Sequence, residues 1–248
     1  MGGSRMDSGR AWDVGATTGR TVGTVRLDAP SPTSDESAAG PAPRSLTYRV
    51  IKRCMDVSGA LVLGAVFSPV IVIVTVALRR QGGSVLFSHE RIGRDGQPFS
   101  VYKFRSMVPD AEAVLQDLLA SDPKLRLEWR RDHKLRNDPR ITRIGRFLRR
   151  TSLDELPQLI NVLRGEMSLV GPRPVTRSEI SKYGRAVCFY LRTKPGITGL
   201  WQVSGRNDTD YVRRVAIDRY YAERATVFMD VGILLRTVLV VLGRRGAY

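Results

Sequence analysis

The chain has 248 residues, room for one sizeable domain with appendages. Lysine and arginine number 40 against 24 aspartates and glutamates, a formal net charge of +16, so its partners are anionic: nucleic acid, anionic lipid or phosphorylated substrates. Cys54 and Cys188 form no paired motif, and neither His89 nor His133 has metal-ligand spacing around it, which excludes a disulfide framework or a zinc site as the organising feature.

Residues 1–45 are rich in Gly, Ser, Thr, Ala and Pro. A stretch such as APSPTSDESAAGPAP buries too little apolar surface to offset the entropy of ordering it, which predicts a disordered tail. The tail has no apolar core of the kind a secretory signal needs.

Residues 46–80 are predicted to be a membrane segment. From Val57 to Leu78 the chain carries no charge over about 22 residues, enough for a helix to cross a bilayer core. Ser68 and Pro69 sit in its middle, where proline breaks the helical ladder and kinks the chain. Both flanks are basic: Arg44, Arg49, Lys52 and Arg53 before, Arg79 and Arg80 after. Positive flanks prefer the cytoplasmic side. Two such flanks require entry and exit by one face, which predicts a kinked re-entrant hairpin; a tilted single span is the alternative.

Residues 81–248 read as a mixed body without a second span. The fold class is therefore α+β: membrane-associated (monotopic), with the kinked re-entrant helix followed by a compact cytosolic domain. SVLFSHERIG and QPFSVYKFRSM predict two strands around a turn at Gly93–Gly96, where Asp95-Gly96 is a hairpin signal. Val114, Leu115, Leu118 and Leu119 have helical spacing. A further helix is predicted over Asp210–Arg224. The apolar stretch Val227–Arg244 contains Asp230 and Arg236, and reads as a core helix or one lying on the membrane surface.

The chemistry concentrates in LRRTSLDELPQL, Leu148 to Leu159. Ser152 and Glu155 have capping-box spacing, and proline belongs in a first helical turn. With Ser152 as the cap, Pro157 falls slightly deep, so the helix begins there or nearer Leu156. In both registers Asp154 and Glu155 sit at a helix start, and capping by itself accounts for one acid. Around them Arg143, Arg146, Arg149 and Arg150 form a basic helical face, and Gly171-Pro172-Arg173-Pro174 is a rigid turn presenting one guanidinium. Such groups suit phosphate. An aspartate among arginines is expected to have a lowered pKa, which makes it a poor base. It is a reasonable nucleophile toward phosphorus, and an adjacent carboxylate is a natural Mg²⁺ ligand.

DPRITRIGRFLRRTSLDELPQLINVLRGEMSLVGPRP closely resembles the core signature of bacterial sugar transferases, the small monotopic phosphoglycosyl transferases. The resemblance covers about residues 47–248, including the apolar segment with its Ser-Pro, ERIGRDGQPFSVYKFRSM and TKPGITGLWQVSGRND. It implies transfer of a sugar 1-phosphate from a UDP-sugar to undecaprenyl phosphate, with release of UMP, to prime exopolysaccharide or capsule synthesis. By that resemblance Asp154 is a nucleophile that forms a covalent phosphosugar. Glu155 holds Mg²⁺, Arg149 and Arg173 bind phosphate, and Ser68 and Pro69 break the re-entrant helix. GLWQVSGRND, VAIDRYYAE and the closing RRGAY are similar to members that use UDP-galactose, although glucose-transferring relatives look much alike. Longer members carry several spans before the core, so a minimal enzyme is expected here. The implied site is the cytoplasmic face of the bacterial inner membrane, among its lipids. A homodimer is left open, and no nucleic-acid partner is implied.

Other residues read more plainly. Arg206 reaches a phosphate or the nucleotide, or is a solvated loop arginine. Trp201 and Gln202 shape or pack the site, and Asp218 and Tyr221 pair with nearby arginines. The competing classes are a non-catalytic scaffold that holds polyprenyl phosphate and a basic nucleic-acid-binding protein. The apolar segment and the absence of a nucleic-acid-binding motif argue against the latter.

Overall fold

The computed structural model describes residues 44–132, 135, 137–204 and 210–243. The predicted tail lies outside them apart from Arg44 and Ser45, which belong to the start of the first helix. Ser45 caps it by accepting the Tyr48 N–H, and Arg44 donates to the carbonyls of Tyr221, Ala222 and Ala225.

Helix α1, Leu46–Arg80, runs for 35 residues, about 52 Å at helical rise. It is the one described helix long and apolar enough to cross a membrane. Asp56 and Ala60 near its start and Val74 and Leu78 near its end are buried, while Leu61, Val62, Val66, Val72 and Ile73 between them are exposed. Helical geometry continues through Pro69. Proline has no N–H for the Ala65 carbonyl four residues back, and the Ser68 hydroxyl donates to that carbonyl at 2.8 Å instead.

Strands β1, Leu86–Ile92, and β2, Pro98–Phe104, form the expected antiparallel hairpin, in register from Leu86 opposite Phe104 to Ile92 opposite Pro98. Asp95 and Gly96 both take the left-handed backbone that this dipeptide tolerates. Helix α2, Ala111–Ser121, follows as its spacing predicts, then α3, Pro123–Asp132, and α4, Arg143–Thr151. Helix α5, Gln158–Arg164, leads to β3, Ser168–Val170, which pairs in parallel with β4, Gly196–Thr198. Three short helices, α6 (Arg177–Ile180), α7 (Val187–Leu191) and α8 (Leu200–Val203), surround that pair.

Helix α9, Tyr211–Arg224, begins at the predicted Asp210, whose side chain accepts the Arg213 N–H. Helix α10, Val227–Leu242, bears out the core-helix reading on one of its faces. One face is core: Ile233 is buried, and fully buried Asp230 accepts from Tyr48, Lys52 and Tyr221 at 3.0, 2.9 and 2.6 Å. The other exposes Phe228, Leu235, Val238 and Leu239. The architecture is a helix-dominant α+β fold, with two two-stranded sheets among the described residues.

One apolar core joins Ala60 of α1 to Val101, Leu159, Val162, Leu169 and Tyr221. A second joins Val74 and Leu78 to Phe104 and Leu148, and Leu156 packs against both. Asp56 ties α1 to β3, accepting from the Ser168 hydroxyl and the Leu169 N–H, each at 2.9 Å. A buried carboxylate bonded this way is satisfied by neutral donors.

Candidate active site

Helix α4 carries the basic face that the sequence predicts. Thr142 caps it, accepting the Gly145 N–H at 2.9 Å, and Leu148 is fully buried against the end of α1. Full burial of one such side chain stabilises by roughly 2 kcal/mol. Arg143, Arg146 and Arg150 face solvent, while Arg149 is half-buried and donates through Nε to Ser106 Oγ at 2.8 Å.

Ser152 does not cap a following helix. It adopts a left-handed conformation, φ 56°, and its N–H closes the end of α4 on the Leu148 and Arg149 carbonyls. Left-handed serine is uncommon, costs on the order of 1 kcal/mol, and such residues cluster at functional sites. The chain then turns through one 3-10 turn, Leu153–Glu155, and α5 starts only after Pro157. The acids therefore occupy a turn between two helices rather than the start of one.

That turn places Asp154 and Glu155 beside β2. Lys103 Nζ lies 2.6 Å from Glu155 Oε1 and 4.0 Å from Asp154 Oδ2. The Asp154 side chain is 12% exposed, and its pKa is pushed up to about 6. Burial is the main cause; Lys103 and Arg149 oppose it, and Glu155 adds to it. The expected lowering by arginines is thus reversed, because desolvation of the carboxylate outweighs the attraction of nearby cations. A carboxyl with that pKa is mostly ionised at neutral pH.

Arg149 is held by more than Asp154. Burial pushes its guanidinium pKa down, and the charges of Asp154 and Asp138 counter this. Asp138 in turn forms a bidentate pair with Arg140 at 2.9 and 2.7 Å. Burial works to raise the Asp138 pKa, but the hydrogen bonds from Arg140 win and hold it low.

Arg173 belongs to a different cluster. The largest charge effects on Asp154 come from Lys103, Glu155 and Arg149, whereas Arg173 acts on Arg91, Tyr211 and Asp218. Its guanidinium lies 5.9 Å from the Trp201 ring, and Arg214 lies 5.1 Å from both Trp201 and Tyr211. Arg91 pairs with Glu179 at 3.2 Å. Asp218 accepts the Tyr183 hydroxyl at 2.8 Å and lies 3.9 Å from Arg214, and burial pushes its pKa up to about 7. The pairing foreseen for Asp218 is present. Tyr221 instead donates to Asp230 and to the Val170 carbonyl. Trp201 packs between two arginines, as a shaping residue would, and Arg206 lies outside the described residues.

Lys103 and Ser106 were missed from the sequence. Their signal was present: in KFRS, the lysine is the penultimate residue of a strand and the serine lies two residues beyond its end, a polar punctuation after the apolar alternation of β2. Arg91 and Arg214 carried no comparable signal.

Among the described residues, no group of three or more His, Cys, Asp and Glu side chains is arranged to hold a metal. Mg²⁺ does not require one, since it takes one or two carboxylates and completes its shell with water and substrate phosphate. The Asp154–Glu155 pair, already drawing a cation to within 2.6 Å, offers the hard oxygen donors such an ion needs.

The family model for bacterial sugar transferases matches residues 47–244. The chain belongs to the bacterial sugar transferase family. This sugar transferase is 52% identical over 200 residues to the undecaprenyl-phosphate galactose phosphotransferase of Salmonella typhimurium, covering 81% of this chain and 42% of that one. It is 53% identical over 200 residues to the UDP-galactose-lipid carrier transferase of Erwinia amylovora, with the same coverage of 81% and 42%. It is 47% identical over 198 residues to the exopolysaccharide production protein ExoY of Rhizobium meliloti, covering 79% of this chain and 88% of ExoY. The chain thus spans about two fifths of the first two relatives, 42% of each, and most of the third.

Proposed function

We propose that this sugar transferase moves a hexose 1-phosphate, galactose before glucose, from a UDP-sugar to undecaprenyl phosphate, and so starts exopolysaccharide or capsule synthesis. The observation that carries the reading is the buried Asp154 carboxylate beside Glu155, Lys103 and Arg149. The names of the Salmonella and Erwinia relatives support the galactose donor and the lipid acceptor.

In the first half-reaction an Asp154 carboxylate oxygen attacks the phosphorus that bears the sugar. The bond from that phosphorus to the oxygen bridging to UMP breaks, and UMP departs with the electron pair. A phosphosugar remains on Asp154. In the second half, an oxygen of undecaprenyl phosphate attacks the same phosphorus, the acyl phosphate bond breaks, and the Asp154 carboxylate is restored. Arg149, positioned by Ser106, neutralises charge on the phosphoryl oxygens. Glu155, with Asp154 adjacent, is the residue that would hold Mg²⁺, which when bound offsets phosphate charge as a Lewis acid. Arg173 serves the donor from its separate cluster.

The same reading places α1 as a re-entrant helix entering and leaving by the cytoplasmic face of the inner membrane. Asp56 and Ala60, then Val74 and Leu78, tie its two ends to one body, and Ser68 and Pro69 lie in the exposed stretch between them. A bend in that stretch would return the chain to the face it entered, at the headgroup layer where one substrate arrives from the cytosol and one from the lipid.

The test is UMP release by detergent-purified protein with Mg²⁺ and undecaprenyl phosphate, across UDP-galactose, UDP-glucose and UDP-N-acetylated sugars. Lipid-dependent UMP from UDP-galactose, together with a hexose-phosphate adduct on Asp154 by mass spectrometry, is the expected result. No UMP from any donor would overturn the reading.

A further inference from the structure

We propose that Lys103 is a resident counter-ion that a divalent metal must displace from Glu155, and that the displaced ammonium then binds the phosphoryl oxygens on Asp154. The inference rests on Glu155 as the metal ligand, and it adds a residue to the site and an order to its assembly.

Lys103 Nζ is 2.6 Å from Glu155 Oε1. A magnesium ion on that oxygen would share it with the ammonium. Two cations on one carboxylate oxygen in a half-buried site repel strongly. Glu155 therefore exchanges one cation for the other. Lys103 lies within 4.0 Å of both carboxylates, so it takes the part of the metal while the metal is absent.

The backbone of Lys103 cannot follow its side chain. Tyr102 N–H is held by Asn161 Oδ1, and the Ser100 carbonyl by Asn161 Nδ2. The swing must come from the four-carbon stem, which a lysine has and an arginine fork lacks in freedom. Its nearest alternative is already set: Asp154 Oδ2 is 4.0 Å from Nζ. A phosphoryl group bonded to Asp154 brings its oxygens into that space, and a freed ammonium meets them with little motion. Arg149, fixed by its bond to Ser106, supports the same group without moving. One cation is thus static and the other mobile.

The test is Mn²⁺ binding to the detergent-purified full chain without donor, read from the electron paramagnetic resonance signal of free Mn²⁺. Wild type is compared with Lys103→Met, Lys103→Arg and Glu155→Gln. Lys103→Met is expected to bind Mn²⁺ about tenfold tighter, the effect of removing one like charge beside the ligand. At saturating metal the same variant is expected to release UMP at least about tenfold more slowly, having lost a phosphate contact. Lys103→Arg, which keeps the charge, stays near wild type in metal affinity. A Lys103→Met protein that is folded by circular dichroism yet binds Mn²⁺ no tighter overturns the exchange, while weaker binding by Glu155→Gln leaves the metal assignment standing. Glu155→Gln binding as wild type overturns both.

Discussion

Asn161 Oδ1 accepts the backbone N–H of Tyr102 at 3.2 Å, and Asn161 Nδ2 donates to the Ser100 carbonyl at 2.7 Å. One fully buried side-chain amide on α5 thus does for β2 what a neighbouring strand would do. The helix that follows the acidic turn grips the strand that bears Lys103, so carboxylates and ammonium share one rigid frame. Asn161→Leu keeps the volume and removes three partners, since Nδ2 also donates to Glu166 at 2.6 Å. Two part-buried backbone hydrogen bonds are lost, which is expected to cost about 1–3 kcal/mol. Urea unfolding would measure the loss. UMP release under folding conditions is expected to fall with it, because the Lys103 backbone is no longer fixed.

Asp154→Asn is expected to abolish turnover and make the protein more stable. Unfolded, the carboxyl ionises near the ordinary 3.8; folded, near 6. Between these values the folded state keeps a proton that the unfolded chain has lost, so wild-type stability falls as pH rises through that window. Above it the buried charge costs roughly 3 kcal/mol. Asparagine carries no such charge. Thermal melts from pH 4 to pH 7 are expected to show the variant gaining on wild type through this range and keeping the advantage at pH 7. A variant that melts with wild type at every pH would contradict the raised pKa.

Gly145 shows how tightly Arg149 is placed. A Cβ built there would stand within 1.9 Å of the Ser106 carbonyl oxygen, a backbone atom that cannot swing aside. That carbonyl also accepts the Thr142 N–H at 3.1 Å, and the Ser106 hydroxyl receives Arg149. Gly145→Ala must push α4 away from the strand end, breaking both contacts. The expected loss is about 2–3 kcal/mol, in the range of overpacking and backbone-shift effects. Turnover is expected to drop further than stability alone explains, since Arg149 leaves the phosphate site. Ser106→Ala separates the two: it removes only the hydroxyl, and lowers turnover with little change in melting temperature.

Much of the fold was legible where the signal is local. Asp95-Gly96 set the hairpin, Val114 to Leu119 set α2, and Asp210 marked the start of α9 because its side chain caps it. The acids and Arg149 were legible as a motif, yet their environment was not. Burial depends on which distant segments pack on the turn, so the sign of the Asp154 pKa change could not follow from its arginine-rich neighbours. Ser152 misled for a similar reason: capping-box spacing was satisfied, but the residue was already used to end α4. Arg149 and Arg173 look alike in sequence, and only the Trp201 and Arg214 contacts reveal that they serve different clusters. The true capping box lies elsewhere, at Thr176 and Glu179.

The course of α1 gives the last test. Leu46 is 74% exposed at one end and Gln81 is exposed at the other, so cysteines at both positions can report their side of the membrane. In a background lacking Cys54 and Cys188, Leu46→Cys and Gln81→Cys are each expected to react with an impermeant maleimide only after the cytoplasmic face is opened. Labels on opposite faces would establish a single span. Pro69→Ala sharpens the test. The alanine N–H can close the ladder on the Ala65 carbonyl that Ser68 now serves, which removes the ladder break that the re-entrant reading relies on. An uninterrupted helix of about 52 Å exceeds the hydrocarbon core, so it would span with tilt. That variant is expected to place a fraction of Leu46→Cys or Gln81→Cys on the outer face and to lose activity in proportion, because a spanning α1 can no longer keep both buried ends on one body.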